Sequence, residues 1–597
     1  MDAASISSVA SIQQEETALA NATGVSADLT KLAAFRPRRF VPEAANLADA
    51  AVVKGLYSQL LERPAPTPRA LEAWLLDRSE LEAAVSQTGS ILNIRMTCQT
   101  DDPERAAAYR AFVETVSPVV KAMSDKLDRK YLEARKSVAL DAERLMVYER
   151  AMRADVELFR EENVPLETQD TLLSQEYQTI CGAMTMRFRG EEKTLQQMGK
   201  LLLEPDRPLR EEAWRGVASR RLQDKARLEE VFDKMRALRA KIAANAGCAD
   251  FREFQFRAFH RFDYTPADCR SYHNAVEKRV VPVWRDTLLK RRATMKLDAL
   301  RPWDTAVDPE GKPPLKPFET PPQLIAGVER IFNQVDPALG EQFRRIADLG
   351  LLDLASRKGK APGGYQTTLC EARLPFIFMN AVGVDDDVMT LLHECGHAFH
   401  TLSCVDEPLL AYRHGPIEFC EVASMGMELL GGEFMGEFYQ GDDLKRSRRH
   451  RLEAIAYILP WVATIDAFQH WIYEHPSHDA DARRKAWLET VERFGGGVVD
   501  WSGLDEERAY AWHRQLHIFE HPFYYIEYGI AQLGALQLWL KAKKDRKAAL
   551  AAYRRALALG GSRPLPELFA AAGLEFGFAE ETIAPLMDAL GEELAKV

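Results

Sequence analysis

Residues 389–402 read MTLLHECGHAFHTL. On a helix, His393 and His397 share one face a turn apart and present two ring nitrogens to a single cation. Zn²⁺ takes neutral imidazole at about 2.0–2.1 Å, and a catalytic site needs a third protein ligand and one open position. Glu394 points partly toward the same cleft, where it can hold a water and take its proton. Gly396 leaves room for a metal or a neighbouring backbone to come close. His400 adds a third imidazole, but 393, 397 and 400 span about two turns, so His400 reads as a packing or supporting residue. Four residues are a short pattern, and the same letters occur on ordinary helices. The remainder of the chain must supply what a zinc site lacks.

At 597 residues the chain is too long for one simple core, so two or more lobes are expected. Hydrophobic residues make up 46% and charged ones 28%, the balance of a soluble globular protein. The formal charge of −11 argues against general nucleic-acid binding. KRSRRHR (445–451) reads as a solvated helix face. There is no apolar run of the roughly 18 residues that a membrane span needs. Residues 1–25 lack a basic start and carry Glu15 and Glu16 where an apolar stretch would continue, so a flexible lead-in is expected. The eight cysteines form no CxxC pair and read as reduced thiols, which favours a cytoplasmic setting.

Apolar residues at three- and four-residue spacing, with many Ala, Leu, Glu, Arg and Lys, predict a mainly α chain. VFDKMRALRAKIAANAG (231–247) is one such stretch and ends on a glycine suited to a helix C-terminus. LRPWDTAVDPEGKPPLKPFETPP (300–322) carries seven prolines and reads as a long surface connection. SRKGKAPGGYQTTLCEARLPFIFMN (356–380) predicts a turn and then one or two short strands, and FGGGVVDWSG (494–503) a loop. Eleven of the thirteen histidines lie at or beyond position 393. Imidazole chemistry therefore belongs to the C-terminal third. The expected division is a helical region over 26–195 and a catalytic helical region over 196–597.

The third ligand is sought in RHGPIEFCEVASMGMELLGGEF (413–434), where Pro416 suits the first turn of a helix. Glu418, Glu421 and Glu428 are the candidates. Glu421 and Glu428 are seven apart and share a face, and Glu418 lies one turn before Glu421. Carboxylates in so apolar a run are costly unless a positive group compensates them. Geometry leaves all three open. Cys395 and Cys420 adjoin proposed ligands, but Cys395 points away from the metal face.

HECGHAFH, followed 28 residues after His393 by EVAS, resembles the thimet oligopeptidase and oligoendopeptidase F family of zinc peptidases. GGYQTTLCEARLPFIFMN, AANAGCADFREF (243–254) and PFYYIEY (522–528) are similar to further segments of that family, and the resemblance runs from about residue 200 to the end. It implies a mainly α, two-lobed metallopeptidase with a deep substrate channel and a small β element near the active site. It implies one zinc ion per chain, with His393, His397 and Glu421 as ligands and Glu428 orienting one of them. Glu394 would be the catalytic base and Tyr528 the oxyanion donor, with His517 and Tyr525 or Tyr524 assisting. One extra residue between His517 and the tyrosines, relative to the family spacing, leaves His517 and His521 as alternatives. His517, His521, Tyr524 and Tyr528 fall on one helical stripe if Pro522 lies near the helix start. Gly364, Tyr365 and His521 are expected to meet substrate. The implied activity is endopeptidase cleavage of short unstructured oligopeptides, with neither nucleic acid nor membrane as partner. The alternatives are a zinc exopeptidase of the dipeptidyl carboxypeptidase kind and a catalytically dead helical peptide-binding protein. Nothing in the sequence chooses between monomer and dimer.

Overall fold

The computed structural model describes residues 28–357, 359–361 and 363–597. The expected lead-in over 1–25 lies outside the described residues. About 68% of the structure is helical, as the spacing of apolar residues predicts, with only small sheets. The chain divides into two compact units. The first comprises Met1–Arg153, Lys316–Leu444 and Gly534–Leu574, and the second Ala154–Leu315, Lys445–Leu533 and Glu575–Val597. Among the described residues no helix is long and apolar enough to cross a membrane.

In the first unit, the helices Ala50–Glu62, Pro68–Cys98 and Ser117–Arg135 close a core around Tyr57, Leu60, Trp74, Leu81, Leu127 and Tyr131. Thr67 starts the middle helix by accepting the N–H of Ala70, with Pro68 in the first turn, where its missing N–H costs nothing. Trp74 stacks on Tyr131 with ring centroids 6.4 Å apart and donates its indole N–H to the Leu60 carbonyl at 2.8 Å, so its polar atom is satisfied inside the core.

The same unit holds the sheet that borders the site. Strands β3 (Leu352–Ala355), β4 (Tyr365–Leu369) and β5 (Leu374–Ala381) lie in the order β3-β5-β4. β1 (Thr185–Phe188) and β2 (Glu191–Thr194) form a separate hairpin in the second unit. β5 is parallel to β3 and antiparallel to β4. Its run Phe376-Ile377-Phe378-Met379 is buried throughout, which is why it reads as continuous hydrophobicity and not as alternation. β4 pairs only with β5 within its sheet.

The turn ahead of β4 is held by a buried charge. Lys360 Nζ donates to the Asp353 carboxylate at 2.8 Å and to the carbonyls of Ala355 at 3.0 Å and Met379 at 2.5 Å. Its ammonium also lies 4.4 Å from the centre of the Phe378 ring. Asp353 is fully buried and takes Arg357 as a second partner.

In the second unit, Phe232, Phe468, Trp487, Trp512 and Phe519 pack edge-to-face or stacked in one aromatic core. The helix Lys225–Asn245 ends as its sequence predicts, with Gly247 at φ 78. The proline-rich stretch 300–322 departs from the expected surface connection. Pro302, Trp303 and Asp304 form a buried turn, because Arg207 and Arg210 converge on the Asp304 carboxylate at 2.8 and 3.0 Å. In the first unit, Pro321 does not extend the loop but opens the helix Pro321–Val335.

Lys360→Ala should leave the Asp353 carboxylate buried with half its cationic partners. A loss of about 3 kcal/mol in urea unfolding is expected, since breaking a buried ion pair strands a charge. A loss below about 1 kcal/mol would show that the turn does not depend on this lysine.

Candidate metal centre and active site

The motif forms the helix Asp385–Ser403. Asp387 starts it, accepting the N–H groups of Val382, Gly383 and Val384 at 2.8, 2.7 and 2.9 Å. The acidic run Asp385–Asp387 sits at the end where the helix dipole is positive. The second helix, Ile417–Gly432, follows Pro416 as predicted. The two cross in contact at Gly396. A Cβ there would lie 2.5 Å from both the Ala423 carbonyl oxygen and Ser424 Cα, so only glycine fits.

That crossing brings Glu421 to the two histidines. Its Oε2 lies 3.3 Å from His393 Nε2 and 3.5 Å from His397 Nε2. Two bonds of about 2.0–2.1 Å at a tetrahedral angle end about 3.4 Å apart, so the observed spacings suit one zinc ion between the donors. Two imidazoles and a carboxylate are also a chemically suitable zinc set. The ligands are held from behind. His393 Nδ1 donates to Glu428 Oε1 at 2.6 Å, which fixes the tautomer that aims Nε2 inward, and Ser424 Oγ donates to Glu421 Oε2 at 2.8 Å. Ser424 carries no signal in the sequence beyond lying three residues after Glu421.

Burial disfavours the charged form of His393, yet Glu421 and Glu428 outweigh it and hold its pKa well above the usual value. Burial dominates at His397 and pushes its pKa down to about 4. Glu394 is buried beside them, and burial foremost raises its pKa to about 7, partly offset by His393 and by the backbone N–H of Gln366. A carboxylate that titrates near neutrality can both take and return a proton.

Gln366 belongs to β4, so the edge strand contributes to the pKa of Glu394. Further along, Thr368 Oγ1 meets Thr401 Oγ1 at 3.0 Å and fastens β4 to the motif helix one turn beyond His397. The Tyr365 side chain is committed elsewhere. Its hydroxyl meets that of Thr97 at 2.7 Å and its ring stacks on Phe378 at 4.8 Å, so what Gly364 and Tyr365 offer a ligand is backbone. His400 and Cys395 are buried, His400 edge-on to Phe419. Glu418 is buried but lies outside the group formed by His393, His397 and Glu421.

In the second unit, the predicted single stripe from His517 to Tyr528 is two helices. Leu516–Glu520 ends, the chain turns a corner at 521–524, and Tyr525–Lys544 begins. Pro522 has no N–H to continue a helix, and Phe523 sits at φ 66. The corner folds His517 back over the tyrosines. Its ring centre lies 4.9 Å from that of Tyr525, 5.6 Å from Tyr524 and 5.8 Å from Tyr528, and its Nε2 stands 3.5 Å from the Tyr528 hydroxyl. His521 is exposed, its ring tilted against its neighbours with centres 6.2 Å from His517 and 6.1 Å from Tyr524. Tyr525 is buried, which pushes its pKa up to about 12.

A cluster absent from the sequence reading lies in the same unit. Cys269 and His273 on one helix face Asp466 and His470 on another, each pair four apart, and all four side chains are buried. Asp466 Oδ2 lies 2.8 Å from His273 Nε2 and 3.4 Å from His470 Nε2, so the carboxylate is a latch between the helices.

A helical body whose HExxH imidazoles meet a glutamate from the next helix is the arrangement of a metallopeptidase. The chain belongs to peptidase family M3, whose model matches residues 200–587, with the family's N-terminal domain matching 43–159. It is 26% identical over 249 residues to oligopeptidase PepF of Bacillus subtilis, a match covering 40% of this chain and 36% of that protein. It is 23% identical over 351 residues to an oligoendopeptidase F homologue of Borreliella burgdorferi, covering 54% and 57%. The chain thus aligns with less than two thirds of either relative's length. Among solved structures it is similar to one assigned to oligoendopeptidase F (TM-score 0.87, 27% identity, 96% of this chain and 99% of that one). It is also similar to Pz peptidase A with an inhibitor (TM-score 0.86, 26% identity, again 96% and 99%).

Glu428→Ala should remove the support behind His393 and weaken zinc binding about 10–100-fold in chelator competition. Unchanged affinity would mean that Glu428 does not orient the ligand.

Proposed function

We propose that the chain is a zinc-dependent oligoendopeptidase that cuts internal bonds of short, unstructured peptides. The observation that carries this is the 3.3 and 3.5 Å spacing of Glu421 from the two imidazoles, with the buried Glu394 beside them. His393, His397 and Glu421 would hold one zinc ion per chain, which when bound supplies Lewis acidity toward the scissile carbonyl. Glu394 takes a proton from the attacking water as the new C–O bond forms. It then passes that proton to the amine nitrogen as the C–N bond breaks. β4 supports the substrate as an edge strand, reading peptide backbone without demanding particular side chains.

Tyr528 is assigned the oxyanion. Gln515 Nε2 lies 2.9 Å from His517 Nδ1, which places the imidazole proton on Nε2, facing the Tyr528 oxygen, and turns the phenol into a donor. Tyr524 and Tyr525 pack around the pair. Loss of one such donor costs about 10²–10³ in kcat. The PepF and oligoendopeptidase F relatives support internal cleavage over the exopeptidase alternative. All eight cysteines are free thiols, in keeping with a cytoplasmic setting.

Glu394→Gln should keep its zinc and lose at least about 10²-fold in turnover of a quenched fluorescent peptide. Turnover within tenfold of wild type would sink the mechanism. A peptide acetylated at one end and amidated at the other should be cut as fast as its unblocked parent. A requirement for a free end would favour the exopeptidase reading.

A further inference from the structure

The register of His517 against Tyr528 depends on the corner between their helices, and that corner is strained. Phe523 is a fully buried aromatic in the left-handed region, which a residue with a Cβ avoids. Such a conformation persists only where its surroundings over-determine it, and it gathers where function needs fixed geometry.

Here the surroundings are buried side chains that end on the backbone of the segment. Tyr177 donates its hydroxyl to the His513 carbonyl at 2.9 Å, and Arg239 donates to the Phe519 carbonyl. Arg261 Nη2 donates to the Phe523 carbonyl at 2.6 Å and to the Glu527 carboxylate at 2.5 Å. Gln469 grips both sides of the turn. Its Nε2 donates to the His517 carbonyl at 3.5 Å, and its Oε1 accepts the Phe523 N–H at 3.2 Å. Gln469 is fully buried on the helix Gly441–Glu474, three residues after Asp466, whose latch to His273 fixes that face of the helix.

We propose that Gln469 is a positioning residue for the reaction. It clamps the corner through its amide and so sets the His517 ring against the Tyr528 hydroxyl, touching neither substrate nor metal. This rests on the reading of Tyr528 as the oxyanion donor. A buried amide whose two ends hold the two arms of a strained turn has the geometry of a clamp. A glutamine that merely filled the core would leave both arms free to relax.

The test is steady-state kinetics on the full-length zinc enzyme with Gln469→Met, which keeps the length of the side chain and removes both bonds. Displacing a reacting group by about 1 Å costs up to about 10²-fold, so kcat should fall about 10–100-fold while KM and zinc content stay near wild type. In a Tyr528→Phe background the same change should lower kcat by less than about threefold more, because two residues acting through one group are not additive. Tyr177→Phe, which deletes one hydroxyl, should show a smaller fall in kcat alone, and it carries the test if Gln469→Met is recovered unfolded. An impaired Tyr528→Phe beside an unaffected folded Gln469→Met, or a fully additive double variant, would overturn the clamp alone. Full activity in Tyr528→Phe would defeat the reading of the segment, and the clamp with it.

Discussion

The site depends on the missing side chain of Gly396. With any Cβ in that place, the Ala423 carbonyl and Ser424 Cα would have to move, and Glu421 lies two residues from Ala423 on the same helix. The approach of two backbones therefore decides whether the third carboxylate reaches the histidines. Glycine in a helix interior costs roughly 0.5–1 kcal/mol relative to alanine. The motif helix accepts that cost at the one position where the crossing requires it. Gly431 on the partner helix makes a looser contact, where a Cβ would lie 3.0 Å from the Leu392 side chain and not against backbone.

Buried charge is the second organising constraint. Asp353, Asp304 and Asp466 are fully buried, and each is compensated: by Lys360 and Arg357, by Arg207 and Arg210, and by imidazole. At Asp304 and Asp466 at least one partner comes from a distant stretch of chain, so the carboxylate ties that stretch to its own. Glu421 follows the same logic with different partners. Its neighbours include imidazoles and a serine hydroxyl, a set that suits a cation as a further partner.

How much of this was legible in the sequence follows from the range of each interaction. His393, Glu394 and His397 lie within one turn, so their common face could be read directly. The choice of Glu421 over Glu418 and Glu428 could not, because it depends on how the second helix is rotated about the Gly396 contact. The family resemblance supplied what spacing left open. The corner at 521–524 was hidden for a related reason. PFYYIEY contains no glycine to mark a turn, Pro522 is compatible with a helix start, and Phe523 carries no sign that it will adopt a positive φ. That conformation is imposed by Gln469 and Arg261, which lie far away in sequence. The proline-rich stretch 300–322 was misread as wholly external because prolines report what a backbone cannot do. They do not report that two arginines almost a hundred residues upstream will bury Asp304.

β4 is fastened to the helix that carries Glu394 through Thr368 and Thr401. An exposed edge strand offers its alternate N–H and C=O groups to an added strand. In β4 the backbone of Gln366 counters the rise in the Glu394 pKa that burial causes. A peptide laid along β4, as proposed, would run past that backbone beside Glu394. The strand proposed to take the peptide therefore also lowers the pKa of the proposed base.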